Sequence, residues 1–158
     1  MKRLEVKKGQ VLQRAGEFSS HVYAVEHGLL RSFTIDEKGK EHLYQFAPEN
    51  WIIADAVPSD QPSELFIDAL EDSIIIQHEK DFQALSKDPL KVAKRLEVLQ
   101  QRIVMLMSAS AIKRYEHFIR TYPQIVQRVP QRMIASYLGV TPETLSAAKK
   151  TWLKVKSN

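Results

Sequence analysis

The 158-residue chain contains no cysteine. That excludes disulfides, thiolate-held iron–sulfur clusters and cysteine zinc sites, and it permits a reducing compartment. No apolar run approaches the ~18 residues of a membrane span. The opening MKRLEVKKGQ is basic but lacks the apolar stretch of a signal peptide. A cytoplasmic protein without a membrane partner is therefore expected. The histidines His21, His27, His42, His78 and His117 include no His-x-His pair, so the ligand pattern of a metal-binding β-barrel is missing. No Gly-rich phosphate loop and no local Ser/His/Asp context is present. Neither an enzyme, nor a metal site, nor a cofactor is expected.

Glycine is scarce and unevenly spread. Gly9, Gly16, Gly28 and Gly39 fall in the first quarter, and no other appears before Gly139. Acidic residues are scarce at the other end. Residues 113–158 hold nine Lys/Arg (including Lys113, Arg114, Arg120, Arg128 and Arg132) against Glu116 and Glu143, a net +7. The remaining 112 residues hold 14 Lys/Arg against 17 acids, a net −3. A basic tail on a mildly acidic body points to a polyanion partner for the tail alone, or to a solvated basic helix end.

From Val6 to about His78, short apolar stretches (HVYAVEHGLLRSFTI, EHLYQFA, ELFIDAL, SIIIQH) alternate with turn signals at Lys8-Gly9, Ala15-Gly16-Glu17, His27-Gly28, Asp36–Gly39 and Pro58-Ser59-Asp60. RSFTIDEKGKEHLYQF has the form of a β-hairpin. Many short strands at even spacing predict a sandwich or closed roll.

The pattern changes at Asp88-Pro89, a plausible cap and first-turn pair. No glycine interrupts the stretch up to Pro123, which predicts one helix to about Thr121, roughly 30 residues or 45 Å at 1.5 Å per residue. Val92, Leu96, Leu99, Ile103 and Leu106 alternate steps of four and three, an a/d stripe that reads as a dimer seam. Met105, Ala109 and Ile112 lie off it, free to face the chain's own β-domain. The alternative is a helix whose two apolar faces both serve one monomer.

Beyond Pro123 the pieces are QIVQRV, QRMIASYLG and PETLSAAKKTWLKV. The last two have helix-turn-helix spacing: a small Ala135, an inner face of Ile134, Leu138 and Leu145, and Gly139 in the turn. Thr141 is the expected N-cap, Pro142 the first helical residue, and Glu143 suits the positive helix end. Such a second helix presents its N-terminal residues to a DNA major groove. The candidate contacts are Arg132, Thr141, Pro142, Glu143, Thr144, Ser146, Ala147, Lys149 and Lys150. Glu143 can accept from a cytosine amino group and Thr144 can meet a thymine methyl or a phosphate. Lys149 and Lys150 offer phosphate contacts without the bidentate geometry of arginine.

The order of parts resembles the Crp/Fnr family of bacterial transcription regulators. KKGQVLQRAGEFSSHVYAVEHGLLRSFTIDEKGKEHLYQFAPENW resembles the opening hairpins of its cyclic-nucleotide-binding-like domain. ALEDSIIIQHEKDFQAL resembles its last strand and following short helix, and RVPQRMIASYLGVTPETLS its DNA-binding signature. The resemblance implies an α+β chain: a jelly-roll β-roll sensor over 1–88, a long dimerisation helix over 89–121, and a helix-turn-helix DNA-binding domain over 122–158 with little or no wing. The implied partners are double-stranded DNA, a second copy of the chain and, left open, a small-molecule effector.

The family's cyclic-phosphate cassette, Phe-Gly-Glu followed by Arg-Ser/Thr-Ala, matches WIIADAVPSDQPSELFIDA poorly. Glu64 stands about where the arginine would be, and Asp55 remains only as a displaced ribose acceptor. Cyclic AMP and cyclic GMP are thus not expected to bind tightly. Tyr44, Trp51, Asp55, Ser63, Glu64 and Phe66 are the candidate effector-pocket residues. The aromatics Tyr44, Trp51 and Phe66 either line an apolar wall or belong to the core. Where relatives carry Arg-Glu-Thr and then Ser/Gly-Arg, this chain has Pro142-Glu143-Thr144 and Ser146-Ala147. The expected function is a homodimeric DNA-binding regulator with a degenerate effector pocket. The alternative is a dimeric ligand-sensing or interaction protein that has lost sequence-specific DNA binding.

Overall fold

The computed structural model describes residues 1–19, 21–81 and 89–156, without the side chains at 89, 91, 92, 94 and 95. Asp88, the short helix expected after β8 and the Val92 side chain lie outside the described residues. The chain divides into two compact units, Met1–Phe82 and Gln83–Asn158.

The first unit is built of antiparallel strands β1 (Lys2–Val6), β2 (Val11–Gln13), β3 (His21–His27), β4 (Leu30–Ile35), β5 (Glu41–Ala47), β6 (Ile52–Ile53), β7 (Phe66–Ala69) and β8 (Ser73–Glu79). They form two four-stranded sheets, ordered β1-β8-β3-β6 and β2-β7-β4-β5. Period-two alternation sends Tyr23 and Val25 of β3, Ile67 and Ala69 of β7, and Ile75 of β8 into one core with Val6, Leu30, Ala47 and Ile53. Each large apolar side chain there contributes about 1.5–3 kcal/mol by leaving water.

The predicted hairpin is β4–β5, closed at Ile35↔Glu41. Asp36 organises its loop: Oδ1 accepts the N–H groups of Lys38 (2.9 Å) and Lys40 (3.0 Å). At the β3–β4 turn, Gly28 has φ +94°, and a Cβ there would collide with the Ser73 side chain. In the second sheet the nearly buried Arg31 donates to Asp68 at 2.8 and 3.0 Å and also pairs with Glu41.

The second unit contains α1 (Pro89–Ser108), α2 (Ala111–Thr121), α3 (Gln131–Leu138) and α4 (Pro142–Lys156). The single helix expected over 89–121 is therefore two. Its break contains neither Gly nor Pro; serines make it. Ser108 Oγ donates back to Val104 O (2.8 Å), and Ser110 adopts extended backbone (φ −64°, ψ 160°) while its hydroxyl accepts from Lys113 N as the cap of α2. Serine side chains compete with backbone hydrogen bonds in this way, favouring caps over helix interiors. At 20 residues α1 is about 30 Å long. Ala109 and Ile112 consequently fall in the break and on α2, off the α1 face to which they were expected to belong.

Leu96 (61% exposed) and Ile103 (57%) of the expected seam are open to solvent. Leu99 and Leu106 are half-buried. Met107, at 80%, extends the exposed stripe four residues past Ile103. The helical core gathers Phe118, Ile125, Ile134, Leu138 and Leu145, all 1% exposed or less. The rings of Phe118, Tyr122 and Tyr137 meet at 5.5–5.6 Å between centroids. QIVQRV, between α2 and α3, forms successive turns.

Candidate nucleic-acid interface and effector region

The α3–α4 pair is shaped by its turn. Gly139 takes the left-handed conformation (φ 63°, ψ 36°). The Val140 N–H then returns to Ala135 O at 3.0 Å and the Gly139 N–H to Ser136 O at 3.2 Å, a closure that satisfies two of the last carbonyls of α3. Thr141 Oγ1 accepts the Thr144 N–H at 3.2 Å. Inward go Ala135, Leu145 and Ala148. Outward, exposed to solvent, stand Thr141, Pro142, Glu143, Thr144, Ser146, Ala147 and Lys150, with Arg132 exposed on α3.

Two of these candidates differ from their neighbours. Lys149 is half-buried and its ammonium lies 5.9 Å from the Tyr115 ring centroid, leaning onto α2. Glu143 is held below the ordinary carboxylate range by its own backbone N–H and by the Thr141 hydroxyl. It is thus an ionised acceptor at the positive end of α4. The last turns of α4 are tied to α2 by Trp152, whose ring meets Tyr115 edge-on at 5.7 Å.

The candidate effector residues do not gather into one pocket. Asp55 is buried and turned into the protein. Its Oδ2 accepts the N–H groups of Glu64 (2.7 Å) and Leu65 (2.8 Å), and its Oδ1 accepts Val57 N–H (3.0 Å). Gln13 approaches the same carboxylate at 3.5 Å. Ser63 is buried, fixed through backbone bonds to Gly16 and Glu17, while Glu64 is exposed. Lys80 closes the same loop by donating to Ser19 O (2.9 Å) and Val57 O (3.2 Å).

Trp51 packs against the inner core. Phe66 points the other way, stacked on Phe33 at 5.2 Å between centroids. Tyr44 is half-buried on β5, at the place where the register with β4 shifts. A common wall of Tyr44, Trp51 and Phe66 is not formed, because strand alternation puts Phe66 opposite its core-facing neighbour Ile67.

Three features escape the sequence reading. Met107 is recoverable as the i+4 neighbour of Ile103. Nothing in the sequence pairs Arg31 with Asp68, or singles out Arg114, which bonds to several carbonyls of the helical unit. Between α1 and α2 an open groove of about 680 Å³ is lined by Gln100, Val104, Met105, Lys113, His117 and Arg120. Among the described residues no group of His, Asp and Glu is placed to hold a metal ion, and no helix is long and apolar enough to cross a membrane.

His117 carries a pH prediction. Burial, and then the nearby Arg120 and Arg102, hold its imidazole below the usual value near 6.5. The folded protein keeps it neutral while the unfolded chain takes up a proton as pH falls through that value. Stability from this group is therefore present above about pH 6.5 and lost as pH drops towards the depressed folded value. Urea unfolding at about pH 7.5 and pH 5.5 should show a smaller drop in midpoint for His117→Gln than for the wild-type protein. Equal drops would show that His117 does not contribute.

Residues 3–87 match the family model described as the cyclic nucleotide-binding domain. The chain is 33% identical over 165 residues to the anaerobic regulatory protein of Haemophilus influenzae, covering 89% of this chain and 63% of that protein. It is 29% identical over 166 residues to the fumarate and nitrate reduction regulatory protein of Vibrio cholerae, with 89% and 64% covered. The chain thus spans a little under two thirds of the length of these relatives. Among solved structures it is similar to FixK2 from Bradyrhizobium japonicum, with a TM-score of 0.81, 20% identity and coverage of 98% and 85%. A CRP/FNR-family transcriptional regulator from Thermus thermophilus gives a TM-score of 0.76 at 16% identity, with 97% and 86% covered. On the match over 3–87 and these relatives, the chain belongs to the cyclic nucleotide-binding domain family and, within it, to the Crp/Fnr group.

Proposed function

We propose that the chain is a DNA-binding transcription regulator, homodimeric through α1, whose β-unit does not bind cyclic nucleotides. The observation that carries this reading is the α3–α4 pair. A left-handed glycine and a hydroxyl cap orient a helix with its buried residues inward, and seven consecutive or near-consecutive polar, small and basic positions face solvent. The net +7 of residues 113–158 supplies the attraction to phosphates. Base contacts fall to Glu143 towards cytosine, to Thr144 and the exposed Ala147 methyl towards thymine, and to Lys150 as a point donor. The relatives are named regulatory proteins and transcriptional regulators, which agrees with this role.

The dimer is supported by the solvent-open stripe of Leu96, Ile103 and Met107, with Leu99 and Leu106 along one flank. Packing two such stripes together sets the separation of two α4 helices, which must lie roughly 34–36 Å apart to enter adjacent major grooves. Loss of the nucleotide is supported by Asp55. A cyclic phosphate needs backbone amides and a cation; here the Glu64 and Leu65 amides already hold a carboxylate of the chain itself. An incoming phosphate would displace that carboxylate or be repelled by it. A second reading, an interaction protein that no longer selects DNA, is favoured by one feature: α4 exposes Pro142 and Ala147 where a guanidinium would read guanine.

Selection from randomised duplex DNA at physiological salt should enrich a two-fold-symmetric site. Affinity should be steeply salt-dependent, and sequence discrimination lower by roughly 1–3 kcal/mol for each missing bidentate contact. No enrichment, with or without a metabolite extract, supports the interaction-protein reading. Leu96→Glu should halve the mass seen by light scattering, and an unchanged mass counts against the α1 seam. Cyclic AMP and cyclic GMP should bind no tighter than about 10 µM, near −7 kcal/mol; a tighter isotherm overturns the role given to Asp55.

A further inference from the structure

The end of α1, the start of α2 and the end of α3 converge on one side chain. The last carbonyls of a helix have no partner within it and must find one elsewhere. Arg114 meets this need for two helices at once. Its Nη2 donates to Leu106 O at 2.7 Å, in the last turn of α1, and its Nε to Ala109 O at 3.0 Å, in the break that follows. Its Nη1 donates to Leu138 O at 2.9 Å and, more weakly, to Gly139 O at 3.5 Å, both at the end of α3. All three guanidinium nitrogens are engaged, in the planar fork that arginine alone provides.

The α3–α4 turn packs beside the arginine. A Cβ at Gly139 would stand 3.4 Å from Arg114 Nη1 and 3.6 Å from Leu106 Cδ2, so the turn between α3 and α4 rests directly on the arginine and on the end of α1. One turn earlier on α1, the Arg102 guanidinium lies 4.2 Å from the Tyr137 ring centroid on α3. The α1–α2 break interrupts the helical hydrogen-bond ladder at two serines, so the direction of α1 relative to α2 is not fixed by a continuous helix.

We infer that Arg114 is a positioning residue: it locks the α1–α2 joint to the α3–α4 turn, so that the end of α1 and the exposed helix α4 move as one body. The lock itself is independent of what α4 touches; its consequence for DNA rests on the function proposed above. Lysine keeps the charge and the aliphatic stem but has one nitrogen, which cannot reach carbonyls at two helix ends in the same geometry.

The absence of cysteine makes the test direct. Glu97→Cys on α1 and Thr151→Cys on α4 place a nitroxide pair on exposed positions, diluted with unlabelled protein so that only distances within one chain are read. Pulsed electron resonance should give one narrow distance with Arg114 present. It should give a distribution at least about twice as wide in Arg114→Lys and Arg114→Gln, with helical circular dichroism unchanged. A broad distribution already in the Arg114 protein overturns the lock without any variant. So does an unchanged width in the variants, and so does unfolding of Arg114→Lys, which would make the residue structural and nothing more.

On the selected DNA, a fall of the competent fraction to about one tenth weakens binding about tenfold. The salt slope should stay the same in Arg114→Lys, since no phosphate contact is removed. Absence of DNA binding from all three proteins alike sinks the proposed function and leaves the distance measurement to decide the lock.

Discussion

The helical unit depends on a single left-handed residue. With φ 63° and ψ 36°, Gly139 turns the chain so that α3 stops, α4 is released, and the Val140 N–H still returns to the Ala135 carbonyl. A residue with a side chain would strain at that φ. A Cβ there would stand in ordinary contact with Arg114 and Leu106, so the backbone conformation rather than space selects glycine. The missing Cβ therefore permits the turn, and the turn brings the Leu138 and Gly139 carbonyls to the Arg114 guanidinium. Thr141 and Pro142 follow as the cap and first residue of α4 because the chain leaves Gly139 in the right direction for them.

The β-unit solves a comparable problem without glycine. Between residues 54 and 66 the backbone amides of Val57, Glu64 and Leu65 converge, and the sequence offers no glycine there. A carboxylate from the same loop, Asp55, fills the space that the amides surround. Charge-assisted bonds of this kind contribute about 1.5–3 kcal/mol each when buried, enough to hold a loop that has little regular structure. The loop is thereby closed on an anion of its own chain.

Much of this was legible in the sequence because it rests on local rules. Turn residues mark the β3–β4 and β4–β5 connections, the apolar stretches ELFIDAL and SIIIQH hold β7 and β8, and the spacing of Ala135, Gly139 and Leu145 describes the α3–α4 turn. The misses have a common cause: they depend on partners far apart in the chain or on competition between equals. Ser108 and Ser110 look helical by periodicity and lose to their own side-chain bonds. Phe66 looks like a pocket wall by composition but lies one residue out of phase with the core. Asp55 looks like a ligand acceptor until the amides nine and ten residues later are seen to hold it. Arg114 is one of many basic residues in its segment, and nothing local marks the carbonyls it will find at Leu138 and Gly139.

The distribution of arginine says most about how the proposed regulator divides its work. Helix α4 contains no arginine; its exposed positions from Pro142 to Lys150 carry one acid, small side chains and lysine. In the helical unit's interior, by contrast, Arg114 commits its whole fork to backbone carbonyls and Arg102 lies over Tyr137. Two of the unit's arginine forks thus serve to fix where α4 stands, while α4 itself offers the proposed phosphate contacts only point charges, beside the exposed Arg132 of α3. A helix with few bidentate contacts gains specificity chiefly from being held in register, since apolar contacts to thymine methyls and a single carboxylate acceptor discriminate only at the correct distance. Rigid placement then matters more for this chain than for one whose long arginines can reach across small errors of position.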